Sequence, residues 1–279
     1  MSGFRNKNVA MESRDKVNAV YNTQSVGEWA DSKTMQHASG VWGRRPMLEH
    51  LRDLVKPGQT VVDLGAGAGF PTSEIVPFVG PNGRVIGLEL SDAMLQEATT
   101  RYQSVHNLKF YKADITQSLP LETGSADVVT SFMVCQNLRL TELQNMLNET
   151  TRILKKGGQA VYLTLHPEIF ASDWELDFMI YDPRKIAVYR DAKNKEDIEI
   201  PGRVMNVDGG WKNVWMFTHS RESMFNAIEK SGLEFVSEID LWIDKETAEK
   251  SFGPNAVRKL PTTPIYWIIT MKKHYESEN

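Results

Sequence analysis

Val61, Val62, Asp63 and Leu64 run into Gly65-Ala66-Gly67-Ala68-Gly69-Phe70-Pro71, and Glu89 stands at the end of the next apolar run. An apolar strand that breaks into alternating glycines and then opens a helix brings bare backbone close to a ligand, because no Cβ stands in the way. Glu89 then lies at the tip of the second strand, where a carboxylate can accept hydrogen bonds from both hydroxyls of a ribose. The ligand implied is nucleotide-like.

A pyrophosphate seated on a helix N-terminus calls for G-x-G-x-x-G, whereas the pattern here is Asp63-x-Gly65-x-Gly67-x-Gly69. That spacing argues against NAD. It resembles the first motif of class I S-adenosylmethionine-dependent methyltransferases, and the stretch from Asp63 to Gly158 is similar to their small-molecule branch, described as type 11 or type 25. Leu233 to Lys272 resembles the closing strand pair of that fold. The resemblance implies S-adenosyl-L-methionine as cofactor, with Asp63, Gly65, Ala66 and Gly67 in the loop along its methionine part and Glu89 on the ribose. It also implies that Asp114 accepts from the adenine amino group beside Ile115, that Leu90 and Met94 sandwich the adenine, and that Phe132 and Met133 lie near the sulfonium. Tyr21, followed by Trp29, is similar to the tyrosine of an N-terminal lid helix that closes over the methionine end. Many relatives carry a His near Asn137, and here the local polar chemistry departs from theirs. The Asn/Asp-Pro-Pro-aromatic signature of nucleic-acid amino-methyltransferases is absent at this strand end.

The elements that must position these residues alternate as β-branched apolar runs and helical periods, the pattern of a parallel sheet wrapped by helices. Strands are expected at Thr60-Leu64, Val85-Leu90, Leu108-Lys112, Asp127-Met133 and Gln159-Leu165, with two more at Leu233-Ile243 and Ile265-Lys272. Helices are expected over Pro46-Val55, from Pro71 until Pro77 ends or kinks it, over Asp92-Ser104 behind a Ser91 N-cap, and after Ser220 through Lys230. Thr141 with Gln144 reads as a capping box, and Lys155-Lys156-Gly157-Gly158 as the close of the helix it opens. The fold class is α/β: a Rossmann-like, doubly wound seven-stranded sheet with its last strand antiparallel, an N-terminal helical lid and an insertion after strand five. The expected division is a lid over 1–45, a cofactor-binding core over 46–165, a substrate cap over 166–218 and the rest of the core over 219–279. In the cap, Gly202-Val207 and Trp211-Phe217 flank Asp208-Gly209-Gly210 as a β-hairpin.

Composition narrows the partners. A net charge of −4 without local Lys/Arg clusters gives no electrostatic reason to expect nucleic acid, whose binding is driven by phosphate neutralisation. Cys135 is the single cysteine, which excludes an internal disulfide and suits a reducing, cytoplasmic setting. The polar start from Met1 to Asp15 carries no apolar signal core, and no apolar run approaches the ~18 residues of a membrane helix. No His/Asp/Glu spacing stands out as a metal site, so metal-independent chemistry is expected. Nothing in the pattern fixes an oligomeric state.

Methyl transfer is an in-line displacement, so the enzyme chiefly aligns the acceptor and excludes water. If the acceptor carries a proton on O or N, a base adds ~10²–10⁴-fold. His166, at the end of strand five, is the first candidate, followed by His219 and His37; each also reads as an ordinary strand-end or helix-start residue. Tyr21, Asn137, Trp174 and Trp215 are candidate acceptor contacts, the aromatic ones equally consistent with packing. Glu168, Asp173 and Asp177 would suit a cationic acceptor, or simply be solvated. Cys135 reads as a buried filler. The expected activity is S-adenosylmethionine-dependent methylation of O or N in a small molecule. The alternatives are a nucleic-acid or protein methyltransferase, or a protein of this fold that binds the sulfonium without transferring methyl.

Overall fold

The computed structural model describes Asn22, residues 38–205 and residues 210–274. Tyr21, Trp29 and His37, and with them most of the expected lid, lie outside the described residues, as do residues 206–209.

A π-helical turn at Gly40–Arg44 leads without a break into α1 (Arg45–Leu54), and Pro46, which has no N–H to give, stands at the junction of the two. Met47, Leu48 and Leu51 form its buried stripe. The chain continues through β1 (Thr60–Leu64), α2 (Phe70–Ser73), α3 (Val76–Val79), β2 (Arg84–Glu89), α4 (Asp92–Arg101), β3 (Leu108–Lys112), β4 (Ala126–Phe132), a 3-10 turn at Cys135–Asn137, α5 (Leu140–Ile153) and β5 (Leu154–Leu165). There follow β6 (Glu175–Leu176), β7 (Met179–Tyr181), α6 (Pro183–Asp191), β8 (Glu199–Met205), β9 (Trp211–Phe217), α7 (Arg221–Lys230), β10 (Leu233–Leu241), α8 (Lys245–Phe252), β11 (Val257–Lys259) and β12 (Tyr266–Lys273).

The main sheet has the order β10-β12-β5-β4-β1-β2-β3. β12 runs antiparallel to both of its neighbours, while β1 through β5 pair in parallel, which is the expected doubly wound arrangement with its last strand reversed. Successive side chains of β1 alternate between the two faces. Val61 joins the apolar cluster on one side, with Met47, Leu51 and Leu163, while Val62 and Leu64 join the cluster on the other, with Leu147 and Trp267. Each is fully buried, and such burial contributes about 1.5–3 kcal/mol per side chain.

Several local expectations need correction. The capping box sits two residues earlier than Thr141/Gln144, because Glu142 Oε2 accepts the Arg139 N–H at 2.7 Å and the helix starts at Leu140. Gln144 instead donates to Asn148 Oδ1 and Ala227 O. Lys155-Lys156-Gly157-Gly158 is strand, because Leu154 already pairs with Ala126 and Lys155 Nζ reaches Asp127 Oδ2 at 2.7 Å. The helix expected to reach Ser104 stops at Arg101. By contrast, the helix begun near Pro71 does end ahead of Pro77, which lies in the first turn of a second short helix, and Ser91 and Ser220 do cap theirs.

The cap is more ordered than a loop with one hairpin. β8 and β9 form that hairpin, and they belong to a second sheet in the order β11-β6-β7-β8-β9. Its edge strand β11 comes from beyond β10, so residues 244–259 belong with the cap in space. Trp42 fastens the start of the chain's described helices to this layer, stacking on Phe178 and Phe252 and donating to Asp244 Oδ2 at 3.0 Å. No described helix is long and apolar enough to cross a membrane.

Candidate active site

Gly65, Gly67 and Gly69 all take positive φ, at 76°, 56° and 84°, a region that costs an L residue roughly 1–2 kcal/mol. This is the physical reason the turn between β1 and α2 needs glycine. At Gly67 a Cβ would meet nothing within 4 Å, whereas at Gly65 it would lie 2.5 Å from Val134 Cγ2. The loop therefore packs against the end of β4 on one side and opens to space on the other.

Glu89 binds that loop directly. Its Oε2 accepts the Gly67 N–H at 2.7 Å and its Oε1 accepts the Ser91 N–H at 2.8 Å. Burial pushes its pKa up, and the backbone donors of Ser91 and Gly67 oppose the shift. Each carboxylate oxygen has two lone pairs, so the pair retains acceptor capacity beyond these bonds. Asp114 stands at the neighbouring tip, since Ala113 donates to Glu89 O at 3.0 Å. Its Oδ1 accepts from the N–H and hydroxyl of Thr116 at 3.0 and 2.7 Å. Leu90 is half-buried, and Met94, Ile115 and Ala66 are buried close by in sequence to these tips.

Asp63 is inside the protein. Its two oxygens accept the hydroxyls of Thr72 at 2.6 Å and Thr130 at 3.0 Å, tying β1 to α2 and β4. Burial pushes its carboxyl up to about 7. Phe132 is buried at the end of β4, and Met133 beyond it holds a positive φ of 60°, an uncommon state for a long side chain and a local strain of about 1–3 kcal/mol. Gln136 braces it by donating to Met133 O at 2.6 Å and accepting from Thr164 at 3.0 Å. Asn22 Oδ1 accepts from Ser91 Oγ at 2.7 Å, which sets the residue after Tyr21 against the N-terminus of α4.

A glycine turn with open main chain at Gly67, the Glu89 carboxylate at the next strand tip and Asp114 at the third form a cradle that fits an adenosine. Residues 61–158 match the family described as Methyltransferase domain. The chain is 31% identical over 179 residues to the demethylmenaquinone methyltransferase of Lactococcus lactis subsp. lactis (strain IL1403), a match over 62% of this chain and 69% of that one. This chain belongs to the class I S-adenosylmethionine-dependent methyltransferases. S-adenosylmethionine is the family's cofactor, and the open Gly67 and the Glu89 carboxylate fit it.

Two further likenesses bound what can be carried over to this methyltransferase. The arsenite methyltransferase of Halobacterium salinarum is 35% identical over 124 residues, 43% of this chain but 31% of its own length, so the chain spans less than a third of that relative. The crystal structure of geranyl diphosphate C-methyltransferase from Streptomyces coelicolor A3(2), in complex with Mg2+, geranyl-S-thiolodiphosphate and S-adenosyl-L-homocysteine, superposes with a TM-score of 0.58. It shares 16% identity, over 95% of this chain and 99% of that one. That likeness shows the fold.

Beside the glycine loop the methyltransferase has a cavity of about 90 Å³. Met133 lines it, and the next residue, Val134, is the one packed on Gly65. Asn137 and Trp215, both expected acceptor contacts, line it too. Trp174 packs behind, donating to Ile169 O at 2.8 Å and lying edge-on to Tyr181 at 6.2 Å. Arg44, Tyr181 and Tyr266 also line the cavity, and none of the three stands out in the sequence. Arg44 reads there as ordinary charge before a helix, and the two tyrosines as members of apolar strands.

His166 and His219 line a different, smaller cavity of about 20 Å³. His166 Nδ1 accepts the Glu168 N–H at 3.1 Å, which leaves its proton on Nε2, 3.4 Å from Asp240 Oδ1. Burial lowers its pKa, against the charges of Asp240 and Glu168. His219 Nε2 donates to Leu138 O at 2.8 Å and its Nδ1 lies 3.6 Å from Glu196 Oε2. Burial works against the Glu196 charge, but the nearby His219 ring and the Ser220 N–H, which donates to Oε1 at 2.9 Å, outweigh it and hold its carboxyl at about 2. Burial pushes the Cys135 thiol up to about 12, leaving it an unreactive filler. Glu168, Asp173 and Asp177 lie outside both cavity walls; Asp173 pairs with Arg190 at 2.5 Å and Asp177 with Arg258 at 3.0 Å. Among the described residues no three His, Cys, Asp or Glu side chains group where they could hold a metal ion.

Proposed function

We propose that this methyltransferase methylates O or N of a small, largely apolar molecule held in the cavity between the end of β4 and the second sheet. The observation that carries the reading is the shared wall: Val134 packs on Gly65 while Met133 faces the cavity, so a cofactor along the loop and an acceptor in the cavity meet at one strand tip. When bound, S-adenosylmethionine supplies a methyl group made electrophilic by its positive sulfur. The protein's own contribution is placement. Glu89 and Asp114 hold the adenosine end, and the Gly65–Gly69 backbone gives the methionine part a path no side chain obstructs. The strained Met133, braced by Gln136, fixes where the cavity wall ends.

Met179, Val204, Val214 and Leu165 give the cavity an apolar lining. Such a lining favours flat or branched hydrocarbon over an inorganic oxyanion, which sets the acceptor nearer in kind to that named for the demethylmenaquinone relative than to arsenite. His166 and His219 act as braces between the core and the cap. Localisation in the cytoplasm and a small-molecule rather than a nucleic-acid partner follow from the same reading.

Isothermal calorimetry tests it. Wild-type protein should bind S-adenosylmethionine, and Glu89→Ala should weaken that binding at least tenfold. Undiminished affinity in the variant would remove the adenosine site from where we place it.

A further inference from the structure

The cavity holds two phenols from two different sheets. Tyr181 ends β7 of the second sheet and Tyr266 begins β12 of the main one, and both line the same space. They are 7% and 1% exposed. Among the described residues neither hydroxyl has a hydrogen-bond partner, although a buried tyrosine hydroxyl ordinarily finds one. Two phenols without a partner thus belong to the wall of one cavity, the rest of whose lining is largely apolar.

From this we infer that Tyr181 and Tyr266 form a paired donor site for an oxygen anion, and that the acceptor is an apolar molecule carrying a phenolate or enolate oxygen. The inference deepens the proposed function and rests on its placement of the acceptor cavity. Three features support it. Burial pushes the pKa of both phenols up, and Tyr181 adds to the shift at Tyr266, so both remain protonated donors and neither serves as a base. Arg44, on the same cavity wall, acts on Tyr266 in the opposite sense, as the smallest of the three influences there, so a positive charge stands near the phenols to offset part of the cost of burying an anion beside them. The Tyr181 ring is also held in place. Gly202 lies directly opposite it on β8, where a Cβ would fall 2.4 Å from Tyr181 Cδ1, and Phe170 meets the ring edge-on at 5.2 Å.

An acceptor bound as its anion has no proton for a base to remove. That resolves why the cavity wall carries phenols and a guanidinium but neither His166 nor His219. Hydrogen bonds to a charged oxygen are roughly twice as strong as neutral ones and shorter, so the selectivity expected is for the ionised form over the neutral one.

4-Nitrophenol tests this, because its visible absorbance separates phenolate from phenol. Full-length wild-type protein should bind the dye and increase its phenolate fraction relative to free dye at the same pH. Tyr181→Phe and Tyr266→Phe should each weaken dye binding by about tenfold or more, the span of a hydrogen bond to a charged group, and lose the spectral change. S-adenosylmethionine affinity, measured by calorimetry on the same samples, should be unchanged. The ring-preserving single substitutions are each checked by thermal melting, so a folding defect in one leaves the other to decide. Wild-type protein that fails to bind the dye, or binds it as neutral phenol, overturns the inference, as do variants that keep the spectral change. Loss of S-adenosylmethionine binding by wild-type protein would instead sink the methyltransferase reading while leaving the dye result to stand by itself.

Discussion

Glu89 Oε2 accepts the Gly67 N–H at 2.7 Å, so the carboxylate at the second strand tip fastens the glycine turn at the first. With Oε1 on the Ser91 N–H, one side chain orders both the loop and the start of α4. Glu89→Gln offers only one acceptor oxygen where two are used, leaving a buried N–H unpaired at a cost of about 1–3 kcal/mol. The expected result is a lower melting temperature, by about 2–4 °C per kcal/mol for a chain of this size class, together with at least tenfold weaker S-adenosylmethionine binding by calorimetry. A lower melting temperature with unchanged affinity would reduce Glu89 to a loop brace.

Gly67 separates stability from binding in the opposite direction. Its Cβ would enter open space at a φ of 56°, so Gly67→Ala should cost the free protein only the left-handed backbone penalty of roughly 1–2 kcal/mol. On the proposed placement of the cofactor, however, the new methyl stands in its path. Affinity for S-adenosylmethionine should fall far more than the melting temperature implies; equal affinity would place the cofactor elsewhere.

Asp63 gives a signed dependence on pH. Its folded-state value is pushed from 3.8 to about 7 by burial, so the native state holds this proton where the unfolded chain has lost it. The associated stability is fully present below pH 3.8 and is lost as pH rises through about 7. Asp63→Asn keeps the shape and removes the titration. Denaturant unfolding of both proteins from pH 4 to 8 should show wild type losing ground to the variant as pH rises, by up to about 4 kcal/mol in the limit of full shift. A constant difference across that range would mean that the carboxyl is ionised throughout.

The parallel core was legible because its signals are local and repeated: Val61 and Val62 face opposite sides of the sheet, Ser91 caps α4, and the glycine turn demands its φ values. Where the reading slipped, a distant partner decided. Asp197 of the cap accepts the Leu140 N–H at 2.7 Å, helping to fix the start of α5 ahead of the Thr141/Gln144 pattern, and the pairing of Leu154 with Ala126 of β4 carries Lys155 into a strand. The second sheet was hidden because β6, β7 and β11 have only two or three residues each, too short for any periodicity to register. For the same reason Tyr181 and Tyr266 carried no sign of meeting, since only the approach of two sheets brings them to one cavity.

His166 was the natural base by its place at the end of β5, and its surroundings argue for a brace. A general base needs an unprotonated nitrogen facing the acceptor, but Nδ1 is occupied by the Glu168 N–H and Nε2 faces Asp240 of β10, two strands further from the glycine turn. His166→Asn supplies a carbonyl oxygen that can replace Nδ1 as acceptor. Its turnover should stay within about tenfold of wild type, where loss of a true base removes ~10²–10⁴-fold. Because burial lowers the His166 pKa below 6.5, its stabilising contribution is present above that pH and is lost as pH falls through the folded value. The variant should therefore lose less stability than wild type on acidification below pH 6.5, read from melting temperatures. A hundredfold loss of kcat at unchanged S-adenosylmethionine affinity would restore His166 to the reaction and place the acceptor on its side of the sheet.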